Sequence, residues 1–251
     1  MKRHDLEGIT GMTDKRVAIL DYHDSSDGQL MPWFEAVTGY KIACYINVSA
    51  QMLDIDVEYQ HSLRPTRRTE FPTQDSFRGK PLITSLNWIA EIKRLGIDKV
   101  LPIHPNNHVR LEQIARCKKE NIQLISAIHP TAILHDQAIV HAGVWINAGA
   151  IIGYKTVIEE GCIINNGAQI DHHGLVESCC AIDPGALTAG NVKLEKCVQL
   201  HTGAIVINRV TVGESSIVGA GTVVIKNVPP HCTVVGNPAR VIKYHKKLHI
   251  V

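Results

Sequence analysis

Two adjacent histidines, His172 and His173, follow Asp171 in the stretch Ile170-Asp171-His172-His173-Gly174. An imidazole, with an unperturbed pKa of about 6.5, takes up a proton close to neutrality, which makes this run a candidate acid–base centre. Transfer of a group to an amine or a hydroxyl is one kind of reaction that needs such a centre. An ammonium has no lone pair with which to attack, and a hydroxyl is a weak nucleophile until a base removes its proton. The bland alternative for His172 is a polar residue on a turn, and the many other histidines of the chain fit that description.

What must position these residues is a long array. From Leu134 to Val224 every sixth residue is aliphatic, and fifteen of the sixteen positions are Leu, Ile or Val, with Thr188 as the exception. A second register, two residues earlier, holds mostly small side chains such as Ala132, Ala138, Ala150, Cys162, Ala168, Gly174, Cys180 and Ala186. A period of six fits neither the 3.6-residue helix nor plain strand alternation. It fits a solenoid of short strands and turns, with one aliphatic side chain per hexad pointing inward. His135, His141 and His201 lie in the array without a comparable set of neighbours in sequence, and the first two read as exposed turn residues.

Composition narrows the function classes. With 26 basic against 24 acidic residues, nothing calls for a nucleic-acid surface. Seven cysteines form no C-x-x-C pair and fall mostly at hexad positions that want a small apolar side chain, so they read as reduced core residues of a cytoplasmic protein. The polar start MKRHDLEGITGMTDKR has no signal-peptide core, no run approaches membrane-spanning length, and residues 1–14 read as a mobile tail.

The first half reads as alternating strands and helices. Val17–Leu20 is a buried strand, Asp21–Gly28 a polar loop, Gln29–Thr38 a helix stopped by Gly39, and Lys41–Ile46 the next strand. The segment 48–80, with Arg64, Arg67 and Arg68, reads as a surface excursion whose arginines are an ordinary solvated cluster or phosphate contacts. Ser85 caps an amphipathic helix carrying Leu86, Ile89, Ala90 and Ile92; Lys99–Ile103 is a strand, a helix runs from Val109 to Asn121, and Ile122–Ile125 is a fourth strand. That order predicts a small parallel sheet with its ligand beyond the carboxyl ends of the strands. The crevice would be lined by Asp21, His23, Ser25 and Ser26, by Asn47 after the second strand, and by the loop His104-Pro105-Asn106-Asn107. No G-x-G-x-x-G is present, so a nucleotide would need other contacts.

Ile128-His129-Pro130-Thr131-Ala132, the hexads after it, Asp171-His172-His173 and the closing Val235-Gly236-Asn237-Pro238-Ala239-Arg240 resemble the hexapeptide-repeat acyltransferases. Within them the chain is similar to the PglD/NeuD type, which N-acetylates amino sugars on nucleotide carriers or O-acetylates sialic acids. The resemblance implies an α/β, Rossmann-like parallel-sheet domain over 15–127, then a left-handed parallel β-helix over 128–242 with three hexads per coil, and a basic tail over 243–251. It implies a homotrimer with active sites between subunits, acetyl-CoA as co-substrate, a nucleotide-linked amino sugar as acceptor, and no metal. It places the catalytic base at His172, with Asp171 and His173 beside it and Gly190 one coil above, leaving space by the imidazole. Gly190, Thr202, Gly219, Ala220, Ala181 and Arg240 are the implied CoA contacts, with Lys243, Lys246 or Lys247 available to phosphates.

The chain departs from this family at two positions. The acidic residue that commonly follows the base is His173, and a second histidine nine positions on is Ala181. The partner that orients His172 is therefore open, with Asp171 just before it and Glu177 nearby in sequence as the candidates. The leading expectation is N-acetylation of a nucleotide-linked amino sugar; O-acetylation of a sialic acid or polysaccharide unit is the nearest rival, and a non-catalytic scaffold a rival of another class. A zinc enzyme on the same solenoid is disfavoured because Glu177, not histidine, stands five residues after His172.

Overall fold

The structure, a computed structural model, describes residues 15–22, 24–47 and 75–245. His23, the arginines at 64, 67 and 68, Lys246, Lys247 and the first fourteen residues lie outside these, so the expectations placed on them do too.

The first half is β1 (Arg16–Leu20), α1 (Asp24–Thr38), β2 (Lys41–Asn47), β3 (Ser76–Phe77), β4 (Lys80–Thr84), α2 (Trp88–Arg94), β5 (Lys99–Pro102), α3 (Asn107–Lys119) and β6 (Gln123–Leu124). The sheet order is β3-β4-β2-β1-β5-β6, parallel throughout except for the β3–β4 pair. Val17 to Leu20 and Cys44 to Ile46 are buried because both faces of the sheet are covered, as a parallel sheet requires. Leu30, Trp33 and Phe34 of α1 cover one face, and Trp88, Ile89 and Ile92 of α2 the other.

Three local expectations change. Helix α1 starts at Asp24, not Gln29. Asp, Ser and Gly are weak helix formers and read as loop, yet tertiary burial of Leu30, Trp33 and Phe34 carries the helix. The second helix begins at Trp88 after Asn87; Ser85 Oγ accepts from the Asn87 amide at 3.1 Å, and Leu86 is 74% exposed rather than part of an apolar stripe. Lys80–Thr84, read as surface excursion up to Lys80, pairs in parallel with β2.

The second half is a parallel β-helix of triangular section. Seventeen two-residue strands run from β7 (Ala127–Ile128) to β23 (Val223–Val224), and each pairs in parallel with the strand eighteen residues away. They form three faces. The aliphatic hexad positions point inward, from Ile146 to Val224, and make one continuous core. Thr188 also points inward, and its hydroxyl has no partner among the described residues. Corner turns repeat a left-handed residue every sixth position: Gly143, Gly149, Gly161, Gly167, Gly185, Gly203 and Gly221 among the glycines, with Lys155, His173, Cys179 and Asn191 at the same phase. His173, at φ 56°, is thus set by the turn itself. β24 (Cys232–Val235) and the antiparallel β25 (Arg240–Tyr244) extend the first face at the end of the coil stack.

The lower half of that first face, Ala127, Trp145 and Ile163, is buried under the N-terminal sheet. Arg110 of α3, fully buried, locks the two halves together. Its guanidinium donates to the carbonyls of Gly161 (2.6 Å), Cys179 (2.9 Å) and His104, and to Asn107 Oδ1 (2.9 Å). Asn107 Nδ2 adds a bond to the Cys197 carbonyl at 3.1 Å.

Candidate active site

His172 stands on the corner after Gln169–Ile170 of the second face, held by its neighbours in the coil stack. Asp171 Oδ1 accepts from the His172 amide at 2.7 Å, and the His172 carbonyl accepts from the Asn191 amide one coil up at 2.9 Å. One coil below, Gly153 allows the chain to pass: a Cβ there would lie 2.6 Å from the His172 nitrogen. Thr156 Oγ1 donates to the Asp171 carbonyl at 2.7 Å and accepts from the Gly174 amide at 3.2 Å, fixing both ends of the turn.

The imidazole is exposed and lies against Gly190. A Cβ at Gly190 would stand 2.3 Å from His172 Cε1 and 2.4 Å from Nε2, so the ring occupies the space that the missing side chain leaves. Its Nδ1 is 3.0 Å from His173 Nδ1, with the rings edge to face at 5.2 Å. A bond between two imidazole nitrogens needs a proton on one and a lone pair on the other. For His172 to use Nε2 as a base, its Nδ1 carries the proton and His173 accepts it. Tyr154 braces His173 from the far side, ring to ring at 5.6 Å, and its carbonyl accepts the His173 amide at 2.8 Å.

Of Asp171, His173 and Glu177, only His173 meets the His172 ring. Asp171 bonds backbone rather than ring, and Glu177 pairs with Lys193 at 2.9 Å. His135, Ile151, Tyr154, Gln169, Asp171, His172 and Leu187 line a groove of about 510 Å³ along the second face. Cys179 and Cys180 are fully buried, and burial raises the Cys179 thiol to about 12, so neither offers a thiolate to this groove.

Four of the six implied CoA contacts divide between two corners. Gly190 is on the His172 corner; Thr202, Gly219 and Ala220 are on the opposite border of the second face, and one chain does not bring them together. A Cβ at Gly219 would come within 2.8 Å of Val235 Cγ1, so this glycine has a packing reason of its own. Ala181 is buried on the first face, and Arg240 is exposed on β25 at the end of the stack, its Nη1 on the Ala239 carbonyl at 2.9 Å.

In the N-terminal half, Asp21 and Asn47 stand at the carboxyl ends of β1 and β2, where the crevice was expected, but both are fully buried; Asp21 has a left-handed φ of 92°. Ser25 and Ser26 fall within α1 rather than in a loop. The loop after β5 does not line the crevice in the way expected. Asn106 caps α3, accepting from the amides of His108 (2.9 Å) and Val109 (3.2 Å), while Asn107 turns toward the solenoid. His104 is buried, and desolvation, with the Arg110 charge nearby, lowers its pKa to about 4.

One histidine was misjudged from sequence. His201 has a partner: its Nδ1 is 2.9 Å from Asp183 Oδ2. The signal was present at a spacing of eighteen, one full coil.

No family model matches the sequence, and no curated protein sequence matches it. Solved structures do. PerB from Caulobacter crescentus, in complex with CoA and GDP-perosamine, superposes with a TM-score of 0.75 at 23% identity over 90% of this chain and 97% of its own. This chain has that fold. The acetyltransferase domain of PglB from Neisseria gonorrhoeae, in complex with acetyl coenzyme A, gives 0.72 at 24% identity, covering 91% of this chain and all of that one. WeeI from Acinetobacter baumannii gives 0.60 at 19% identity over 90% of this chain and 99% of its own. An α/β domain followed by a left-handed parallel β-helix, the architecture expected from the hexads, is thus the fold of the chain.

Proposed function

We propose that the protein is an acetyl-CoA-dependent N-acetyltransferase acting on the amino group of a nucleotide-linked amino sugar. The observation that carries the reading is the exposed imidazole of His172, fixed between Gly190 and His173 at the edge of a groove. The solved structures of the same fold, described as complexes with CoA, acetyl coenzyme A or GDP-perosamine, support the substrate classes. His172 Nε2 takes the proton of the attacking amine, and the His173 Nδ1 lone pair steadies the imidazolium that forms. A backbone amide in the groove stabilises the oxyanion of the tetrahedral intermediate.

The assembly is a homotrimer with active sites between subunits. What supports it is the outward column of the second face, where Ile133, Ile151, Leu187, Ile205 and Val223 stack in register with only Gln169 interrupting. Ile133 is 52% and Ile205 39% exposed in one chain, an apolar stripe that a partner copy would cover. No helix of the described residues is long and apolar enough to cross a membrane.

The test is release of free thiol from acetyl-CoA with UDP-, dTDP- and GDP-linked amino sugars, with the product checked for an amide. Release with an amino sugar and loss of it in His172→Ala, the trimer remaining intact, is expected. Transfer only to hydroxyl acceptors would replace N- by O-acetylation, and near-normal turnover in His172→Ala would remove the base assignment.

A further inference from the structure

Four polar side chains occupy one position of successive coils at the corner between the first and second faces: Asn147, Asn165, Asp183 and His201. They are bonded in a row. Asn147 Nδ2 donates to Asn165 Oδ1 at 3.0 Å, Asn165 Nδ2 to Asp183 Oδ1 at 3.4 Å, and Asp183 Oδ2 takes His201 Nδ1 at 2.9 Å. The row starts buried, with Asn147 at 1% exposure, and ends open, with 40% of the His201 side chain exposed.

Asp183 thus fixes which nitrogen of His201 faces outward. Nδ1 is committed to the carboxylate, while Nε2 is accessible and has no hydrogen-bond partner among the described residues. The hydrogen bond to Asp183 also raises the His201 pKa, which favours the protonated form near neutrality. A carboxylate-oriented imidazolium with an open Nε2 is a proton donor. Filling the corner would not require one, since Asn147 and Asn165 fill the same position with amides.

The location gives the donor something to do. The row borders the second face on one side, and the His172 corner borders it on the other. When the apolar second face turns toward the axis of a cyclic assembly, each border meets the opposite border of the next copy. The seam then joins the Asp171–His172 corner of one protomer to the Asp183–His201 corner of its neighbour. Rotation about the axis leaves height unchanged, so His201 stands about 1.6 coils above His172, or about 8 Å at the usual strand spacing. A base, an amine, a carbonyl carbon, a sulfur and an acid in hydrogen-bonded sequence also span about 8 Å.

We infer that the partner subunit's His201, oriented by Asp183, is the acid that protonates the departing thiolate; this rests on the acetyltransferase reading above. The amine nitrogen bonds to the thioester carbonyl carbon, and His172 takes a proton from that nitrogen. The tetrahedral intermediate collapses, the C–S bond breaks with its electron pair going to sulfur, and sulfur takes the Nε2 proton of His201. Amide and thiol are the products. His172 is left protonated and His201 neutral, and exchange with water resets both.

The experiment is complementation between subunits. His201→Gln should lower kcat on the order of 10²-fold, the range for loss of one acid–base group, and Asp183→Asn should lower it less. The His201→Gln defect should shrink with the acetyl selenoester of CoA, whose selenolate leaves without needing a proton. Trimers formed randomly from equal parts of His172→Ala and His201→Gln should regain about one quarter of wild-type turnover, because about one seam in four pairs an intact His172 with an intact partner His201. Wild-type kcat in His201→Gln, or no recovery in mixed trimers of confirmed composition, overturns the inference alone. Absence of any acetyl transfer by the wild-type protein overturns the parent reading and this one together.

Discussion

Substituting Gly190 by alanine isolates the position of His172 from its chemistry. Gly190 has no left-handed φ, so the backbone accepts alanine, and the whole effect of the change is the added methyl group. That carbon would lie 2.3 Å from His172 Cε1, where ordinary contact begins at 3.4 Å, so the ring must retreat by about 1.1 Å. The ring is exposed and can turn, which limits the stability cost to a strained rotamer, about 0.5–1.5 kcal/mol. Turnover is more sensitive: a displacement of about 1 Å at a reacting group costs about 10²-fold. Thermal unfolding and steady-state thiol release from acetyl-CoA read the two effects separately. In a His172→Ala background the methyl group meets no ring, and Gly190→Ala should then leave stability unchanged. Retention of kcat within about twofold in Gly190→Ala, with the fold intact, would refute the claim that this packing sets the base.

Four further outcomes follow from the same structure. Arg110→Met should lower stability by about 3–5 kcal/mol, since it strips a buried donor from the Gly161, Cys179 and His104 carbonyls, as urea unfolding would record. His104 is buried neutral with its pKa lowered to about 4, whereas the unfolded chain takes up that proton near 6.5; stability is complete above 6.5 and falls toward pH 4 by up to about 3 kcal/mol, and His104→Asn should flatten that slope. His201 behaves in the opposite sense, because its folded pKa is raised by Asp183: its contribution is full below about 6.5 and is lost as pH rises through the folded value, a loss absent in Asp183→Asn. Thr188→Val should raise stability by about 1 kcal/mol in thermal unfolding, because it replaces a buried hydroxyl without a partner among the described residues by a methyl group of the same shape.

The solenoid was legible because each hexad repeats one strand and one turn, so a single inward position, Ile146 to Val224, recurs without a shift in register. The corner position of His172, with Gly190 one coil above it, was legible through the same register. The contact its ring makes was not, because side-chain direction at a corner decides it: the left-handed φ of 56° at His173 brings its ring to the His172 ring, while the two expected candidates turn elsewhere, Asp171 back on the chain and Glu177 to Lys193. The Asp183–His201 pair was missed because its members are eighteen residues apart, a distance that becomes adjacency only once three hexads are stacked into a coil. Arg110 was invisible for another reason. Its acceptors are mostly backbone carbonyls of the other half of the chain, which carry no residue-type signal. In the N-terminal half, Asp24 to Gly28 read as loop from composition, and burial of the α1 face against the sheet overrode that preference.

His172 is proposed to remove the proton from a sugar amine as it attacks acetyl-CoA. This role is tested by single-turnover acetyl transfer to a nucleotide-linked amino sugar, comparing the wild-type protein with His172→Ala at equal assembly state and equal stability. Amide formation by the wild-type and a fall on the order of 10²- to 10⁴-fold in His172→Ala are expected. Equal rates of amide formation in the two proteins would contradict it.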